Sequence, residues 1–283
     1  MMAVHDEADV LPYNLDHYAD AGFETIAVLD ASSSDGSREI CEAAVADRRI
    51  LELEEFETDA HWLDRSLERL QALTARHCPD ALMLASPDEF FEAADGSDLR
   101  ASIESELEAG FNLIKFWNME FHMTREDDAS EPDPRRRMRH YSLWDVTMWR
   151  AYPYVDGIDL VQARGHRPVF PEGIPRRRSR TRFVSRHYPL RSEERALRKV
   201  ERMRPVPETP KATTHYLRFS GDADELYVDP RHLHRYGEDH EWEFDQPFMR
   251  IRLRDTTRAL ERSERQRREL EARVAELEAR LKR

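Results

Sequence analysis

The chain reads as an α/β protein: a sheet of largely parallel strands flanked by helices, with a helical extension at its C-terminal end. Three observations predict this. Over residues 1–85, short apolar runs of strand length alternate with amphipathic segments of helical period. Acidic residues stand directly after those apolar runs, where an open α/β sheet places its ligand. From about Phe248 onward the chain is almost wholly charged, with sparse apolar residues at heptad spacing.

The elements follow in order. Met1–Val4 is a short first strand. From Ala8 the residues Val10, Leu11, Leu15, Tyr18 and Ala19 recur at helical spacing, with Pro12 in the first turn and Gly22 as a stop. Phe23–Asp30 is a second strand that ends on an aspartate. In the polar turn ASSSDGS, Ser34 or Asp35 caps a helix running to about Ala46. RILELEEF is a third strand. Asp59–His77 is an amphipathic helix with Trp62, Leu63, Ser66, Leu67, Leu70 and Leu73 on one face. Ala81–Ala85 is a fourth strand, broken at Ser86-Pro87. The order β-α-β-α-β-α-β predicts right-handed crossovers and a parallel sheet.

Ser97–Glu108 forms a helix, after which the chain changes character. GFNLIKFWNMEFHMT makes a strand or two, REDDASEPDPRRRMR a charged loop, and the following Trp-, Tyr- and His-rich runs further strands. Side chains of that kind form ordinary core, or an apolar platform with polar edges suited to a sugar. His187-Tyr188-Pro189 leads into a helix capped by Ser192, and the prolines of Pro205–Pro210 mark a connector. Three parts result: a main domain 1–204, a connector and packing segment 205–247, and a C-terminal helix 248–283. In that helix Leu253, Leu260, Arg267, Val274 and Leu281 take heptad position a, and Thr256, Ser263, Leu270 and Leu277 position d. The pattern predicts a coiled coil and hence a homodimer.

The totals exclude several classes. With 44 basic against 57 acidic residues the net charge is −13, which argues against a general nucleic-acid binder, although PRRRMR and PRRRSR are local basic patches. The two cysteines, Cys41 and Cys78, have no CxxC or zinc spacing, so a reducing, cytoplasmic compartment is expected. No signal peptide or membrane span is visible, and contact with a membrane surface would be peripheral.

The candidate site lies at the strand ends. Asp6 and Glu7 follow the first strand, Asp30 the second, and Asp88 and Glu89 the fourth. Carboxylates concentrated in this way are unfavourable unless a cation or a donor-rich ligand offsets them. This points to a divalent metal whose shell is completed by a phosphate-bearing ligand. Neither GxGxxG nor GxxxxGK[ST] is present, so the dinucleotide fingerprint and the P-loop are excluded. His187, beside Arg191 and Ser192 at a helix start, is suited to holding phosphate.

At these residues the sequence resembles a family. HDEADVLPYNLDHYADAGFETIAVLDASSSDGS resembles the amino-terminal half of family 2-like glycosyltransferases with the GT-A fold. It is closest to a bacterial branch that begins with an R/K-D/N-E-A motif and continues to a DADEF-type acidic motif. MLASPDEFF stands where that acidic motif belongs. Gly165-His166 is similar to a GGH segment, and RHYPLRSEERALRK to a late HYPLRS-E-Q…K segment, so the resemblance covers about residues 1–204. It implies a Rossmann-like mixed sheet flanked by helices and a nucleotide-diphosphate-sugar donor. It also implies an acceptor hydroxyl on a glycan, a lipid-linked sugar or a small molecule, and Mg2+ or Mn2+ as cofactor.

Carried over residue by residue, Asp6, Glu7, Asp30, Asp35 and Ser86 belong to the nucleotide site. Asp88 takes the place of the last aspartate of the DxD motif, with Glu89 to assist and His187 as the late histidine near metal or pyrophosphate. Ser86-Pro87 replaces the first two motif residues, His5 the usual basic residue, and Arg195 a common Gln. An inverting transfer needs a carboxylate to deprotonate the acceptor, and Glu120, Asp127 and Asp128 are the candidates. The competing reading is a non-catalytic GT-A-like module that binds a nucleotide or glycan and scaffolds partners through its coiled coil.

Overall fold

A computed structural model describes residues 1–23, 26–57, 62–162, 167–179, 183–202 and 223–237. Farther on it describes residues 267–268, 270–271 and 273–274. The chain divides into two compact units, Met1–His240 and Glu241–Arg283.

The first unit begins as the alternation of patterns requires. Strands β1 (Met2–Val4), β2 (Ala27–Asp30) and β3 (Glu52–Glu55) form a parallel three-stranded sheet in the order β1-β2-β3. Helix α1 (Leu11–Asp20) buries Leu11, Leu15 and Tyr18, carries a proline in its first turn, and stops at Gly22, whose φ of 78° suits a residue without Cβ. Helix α2 (Ser37–Ala46) buries Cys41 and Ala44 against β1 and β2. Helix α3 (Trp62–His77) buries Ser66, Leu67, Leu70 and Leu73, as its periodicity predicts.

The fourth strand departs from expectation. β4 (Ala81–Met83) does not extend the parallel ladder but pairs antiparallel with β7 (His140–Pro153), matching Ala81 to Pro153 and Met83 to Ala151. It opens a second, six-stranded sheet. That sheet also contains β5 (Glu89–Ala93), β6 (Ile114–Phe121), β8 (Phe183–His187) and the short β9 (His234–Arg235). The main path runs β4-β7-β6-β8-β5, with β9 on β7 and only β6-β8 parallel. An apolar run identifies a strand but not its partner. The 14-residue β7, rich in aromatic and β-branched residues, offers a ladder that the three-residue β1 cannot match. The two sheets are joined there by two hydrogen bonds: the Met1 amino nitrogen donates to the Met83 carbonyl at 2.8 Å, and Ala85 N–H to the Met1 carbonyl at 3.0 Å.

Helix α4 (Leu99–Glu108), capped by Asp98, packs Leu99 and Ile103 into the core. The single-turn helix α5 (Pro134–Arg137), capped by Asp133, forms within the stretch expected to be a charged loop. Helix α6 (Glu193–Arg202) follows β8. Behind the second sheet, Phe91, Phe116 and Phe183 are fully buried with ring centres 4.4 and 5.4 Å apart. Each such ring contributes about 2–3 kcal/mol by burial. Residues 223–237 join the first unit through β9 and a bond from Val228 N–H to the Met123 carbonyl.

Of the second unit, the described residues between 267 and 274 are helical, with Leu270 and Val274 exposed and Arg267 facing Glu271 at 3.6 Å. The rest of the predicted heptads lies outside the described residues, as do Gly165-His166 and the whole Pro205–Pro210 connector.

The packing of α2 gives a direct check. Cys41 is buried, and burial pushes its thiol up to about 12, whereas Cys78 is exposed. At pH 8 the native chain is expected to show one titratable thiol with a chromogenic disulfide, and the denatured chain two. Two fast-reacting thiols in the native chain would contradict the packing.

Candidate active site

The site is assembled where the loop after β1 meets the segment after β8. The loop after β1 turns sharply: Asp6 adopts a φ of 53°, unusual for a residue with a side chain. The turn is held by its neighbours after β2. Ser34 N–H donates to the Asp6 carboxylate at 2.7 Å, and the Glu7 and Ala8 N–H groups donate to Ser37 Oγ (2.7 Å) and Asp35 (3.0 Å). Asp6, Glu7 and Asp35 are thereby fixed together at the carboxyl end of the parallel strands.

Against them come three cations at four-residue spacing. Arg191 is buried, its guanidinium bonded to Glu7, bidentate to Asp9 at 2.9 Å, and to the Tyr188 carbonyl at 2.8 Å. Arg195, in the first turn of α6, donates to the Asp6 carbonyl at 2.7 Å and to the Asp35 carboxylate. Lys199, one turn on, reaches Asp88 Oδ2 at 2.8 Å and Glu7 at 3.7 Å. A cavity of about 160 Å3 opens among Asp6, Glu7, Asp35, Arg195, Arg198 and Lys199.

The acidic turn is fixed from both sides. Glu89 N–H closes it onto the Ser86 carbonyl at 3.0 Å, and Ser86 N–H donates to Glu89 Oε2 at 3.1 Å. Helix α1 supports the turn, with Asn14 and Tyr18 both donating to the Glu89 carbonyl. Tyr188 N–H bonds the Asp88 carbonyl at 2.8 Å. The two carboxylates then diverge. Glu89 turns inward to Arg150 at 2.8 Å, while Asp88 Oδ2 faces Lys199, His187 at 3.6 Å and Arg191 at 3.8 Å.

These contacts set the electrostatics. Burial works against ionisation of Asp88, but Lys199, His187 and Arg191 hold its carboxyl well below the usual range. Burial likewise disfavours a charged His187. Asp88, with Glu120 on the other side of the ring, reverses this and pushes it up to about 10. The imidazole lies between Asp88 and Glu120, the latter 3.8 Å from Nδ1.

The structure thus brings Asp6, Glu7, Asp35, Asp88, His187 and Glu120 into one region. Asp30 is buried at the end of β2. Its Oδ2 accepts from Ser33 N–H at 3.3 Å, while Oδ1 has no hydrogen bond among the described residues. Ser86 is engaged through its backbone. Asp127 and Asp128 serve their own loop: Asp127 accepts from Thr124 N–H and Oγ1 at 2.9 and 3.0 Å, and the exposed Asp128 from Ser130. Burial, opposed by those Thr124 bonds, raises the Asp127 carboxyl.

The residues do not present a divalent-metal site. Among the described residues no group of three or more His, Cys, Asp or Glu is arranged to hold a metal ion. Glu89 is committed to Arg150 and Ser86 N–H. A dication at Asp88 would also sit among Lys199, Arg191 and His187, where like charges repel. Cationic side chains occupy the position expected of the metal. The sequence carried a signal for them in the four-residue spacing of Arg191, Arg195 and Lys199, the last two of which stand one turn apart on α6.

No protein-family model matches the chain, and no curated protein matches it. Among solved structures, S. aureus TarS is 9% identical with a TM-score of 0.35. The match covers 76% of this chain and 41% of that one, so the chain spans about two fifths of TarS. TarS 1–349 in complex with UDP is 10% identical with a TM-score of 0.37, covering 82% of this chain and 75% of that one. HddC from Yersinia pseudotuberculosis is 9% identical with a TM-score of 0.26, covering 61% and 74%. Likenesses of this size carry no functional argument.

Two outcomes follow from the geometry. Replacing Arg191 by Met leaves Glu7 and Asp9 without their buried partner, and should lower the unfolding free energy by about 3–5 kcal/mol in a urea titration at pH 7. Asp35 gives a pH signature. Burial opposes its charge, but the bonds from Ser37, Ala8 and Arg195 win, lowering it from 3.8 to about 2. A depressed carboxyl stabilises the fold fully above its unfolded value and loses that contribution as pH falls through its folded value. The stability gap between the wild type and Asp35→Asn should therefore be full above about pH 4 and shrink toward pH 2. A gap independent of pH would show that the carboxylate is not held in this way.

Proposed function

We propose that the chain is a glycosyltransferase that moves a sugar from a nucleotide-diphosphate sugar to an acceptor hydroxyl. The observation that carries this reading is the meeting of the two motif segments on which the resemblance rests. The loop Asp6–Asp9 and the segment Arg191–Lys199, about 185 residues apart, line one cavity with interleaved carboxylates and cations.

The chemistry then falls to the chain's own side chains. The acceptor oxygen bonds to the anomeric carbon as the bond to the diphosphate breaks, and the departing electron pair stays on the diphosphate. Arg195, Arg198 and Lys199, which line the cavity, offset that developing charge, with Lys199 exchanging Asp88 for phosphate oxygens. Glu120 takes the acceptor's proton. It is the one of the three candidate carboxylates facing the Asp88–His187 pair, 3.8 Å from His187 Nδ1. No step of this sequence runs through a metal ion.

Titration of the full chain with UDP, GDP and their sugars, with Mn2+ and with EDTA, tests the reading. Nucleotide binding should persist in EDTA and fall at least tenfold in Lys199→Met. Glu120→Gln should bind the nucleotide normally but lose about 10²–10⁴-fold in donor hydrolysis or transfer. Binding without turnover in the wild type would instead favour a nucleotide-binding module, and no binding of any nucleotide would remove the proposal.

A further inference from the structure

A second cavity, of about 340 Å3, opens on the other side of β8, and none of its lining residues belongs to the first. Alternation along the strand separates the two. His187 pairs with Glu89 and faces Asp88, whereas Arg186 pairs with Phe90 and faces the opposite way. Arg135, Arg136, Arg139, Arg186, Asp133 and Tyr236 line this cavity, four guanidiniums against one carboxylate. In a chain of net charge −13 such a wall is not the average surface.

The cations are pre-positioned. Arg135 is held by Asp133 through bonds of 2.7 to 3.1 Å. Arg186 is buried, bonded to Glu92 at 3.1 Å, to the Tyr188 hydroxyl, and to the Arg135 carbonyl at 3.1 Å. Its guanidinium lies over Tyr236, 4.3 Å from the ring centre. Arg139 donates to the Tyr236 carbonyl at 2.9 Å, while Arg136 is exposed at the single-turn helix α5. Guanidiniums fixed by a framework lose little freedom on meeting a ligand, and their planar forks match tetrahedral oxyanions.

We propose that this cavity is a second ligand site, distinct from the nucleotide cavity, that binds a phosphate- or sulfate-type oxyanion, free or carried on a larger molecule. The proposal does not depend on the transferase reading, since it uses none of the residues of that site.

Calorimetric titration of the full chain at low ionic strength tests it, with inorganic phosphate in one arm and glycerol 3-phosphate in the other. Both should bind, and both should bind at least tenfold more weakly to Arg136→Glu, with Arg136→Ala in its place should the charge reversal disturb the circular dichroism spectrum. Tighter binding of the ester assigns an oxyanion carried on a larger molecule, and equal binding the free ion. Absence of binding overturns the proposal. So does binding that is unchanged in the Arg136 variants and lost in Lys199→Met, which would assign the ion to the nucleotide cavity.

Discussion

The ion pairs of Arg191 are the constraint on which the arrangement depends. A guanidinium buried at this depth is tolerable only because Glu7, Asp9 and the Tyr188 carbonyl accept its hydrogens. It draws the loop after β1 onto the segment after β8, and the rest of the site follows. Once Arg191 is in position, the turns of α6 direct Arg195 at Asp35 and Lys199 at Asp88. The acidic turn, braced by α1 and closed by Glu89, supplies the remaining wall. Charges that would repel one another in isolation become a lattice of alternating sign.

That lattice changes what the acidic motif means. A carboxylate after a strand is ordinarily read as a metal ligand, but Asp88 faces three cations and Glu89 faces Arg150. Ser86 contributes backbone contacts to the turn. Lys199 thus supplies positive charge beside Asp88 from within the chain itself.

Much of this was legible in the sequence, and the failures have physical causes. The apolar period located the first helices, because burial of one face imposes a 3.6-residue repeat, although the N-cap of α2 is Gly36 and not Ser34 or Asp35 as expected. The partner of β4 was not legible, since an apolar run of three residues carries no record of which ladder it joins. Asp6, Glu7 and Asp88 drew notice through their position after strands, and Asp35 through the resemblance. The contact of Glu89 with Arg150 was not legible, because adjacent residues at a turn point apart and only the fold shows which partner stands on the inner side. Asp127 and Asp128 looked like candidates because loop carboxylates that bond their own backbone resemble catalytic ones in sequence. Arg186 went unremarked beside its conspicuous neighbour His187, though alternation in a strand guarantees that two consecutive residues serve different faces.

The sequence separation of the Arg191 contacts has a kinetic consequence. Its partners lie 182 and 184 residues away, so the cavity closes a loop nearly the length of the first unit. Contacts of such high order pay their loop entropy before they return any energy and form late in folding. An intermediate with its helices and most strands in place would still lack the cavity, so ligand affinity would appear only with the last cooperative step. Occupancy of the cavity by a ligand would then report whether a newly made chain has finished folding.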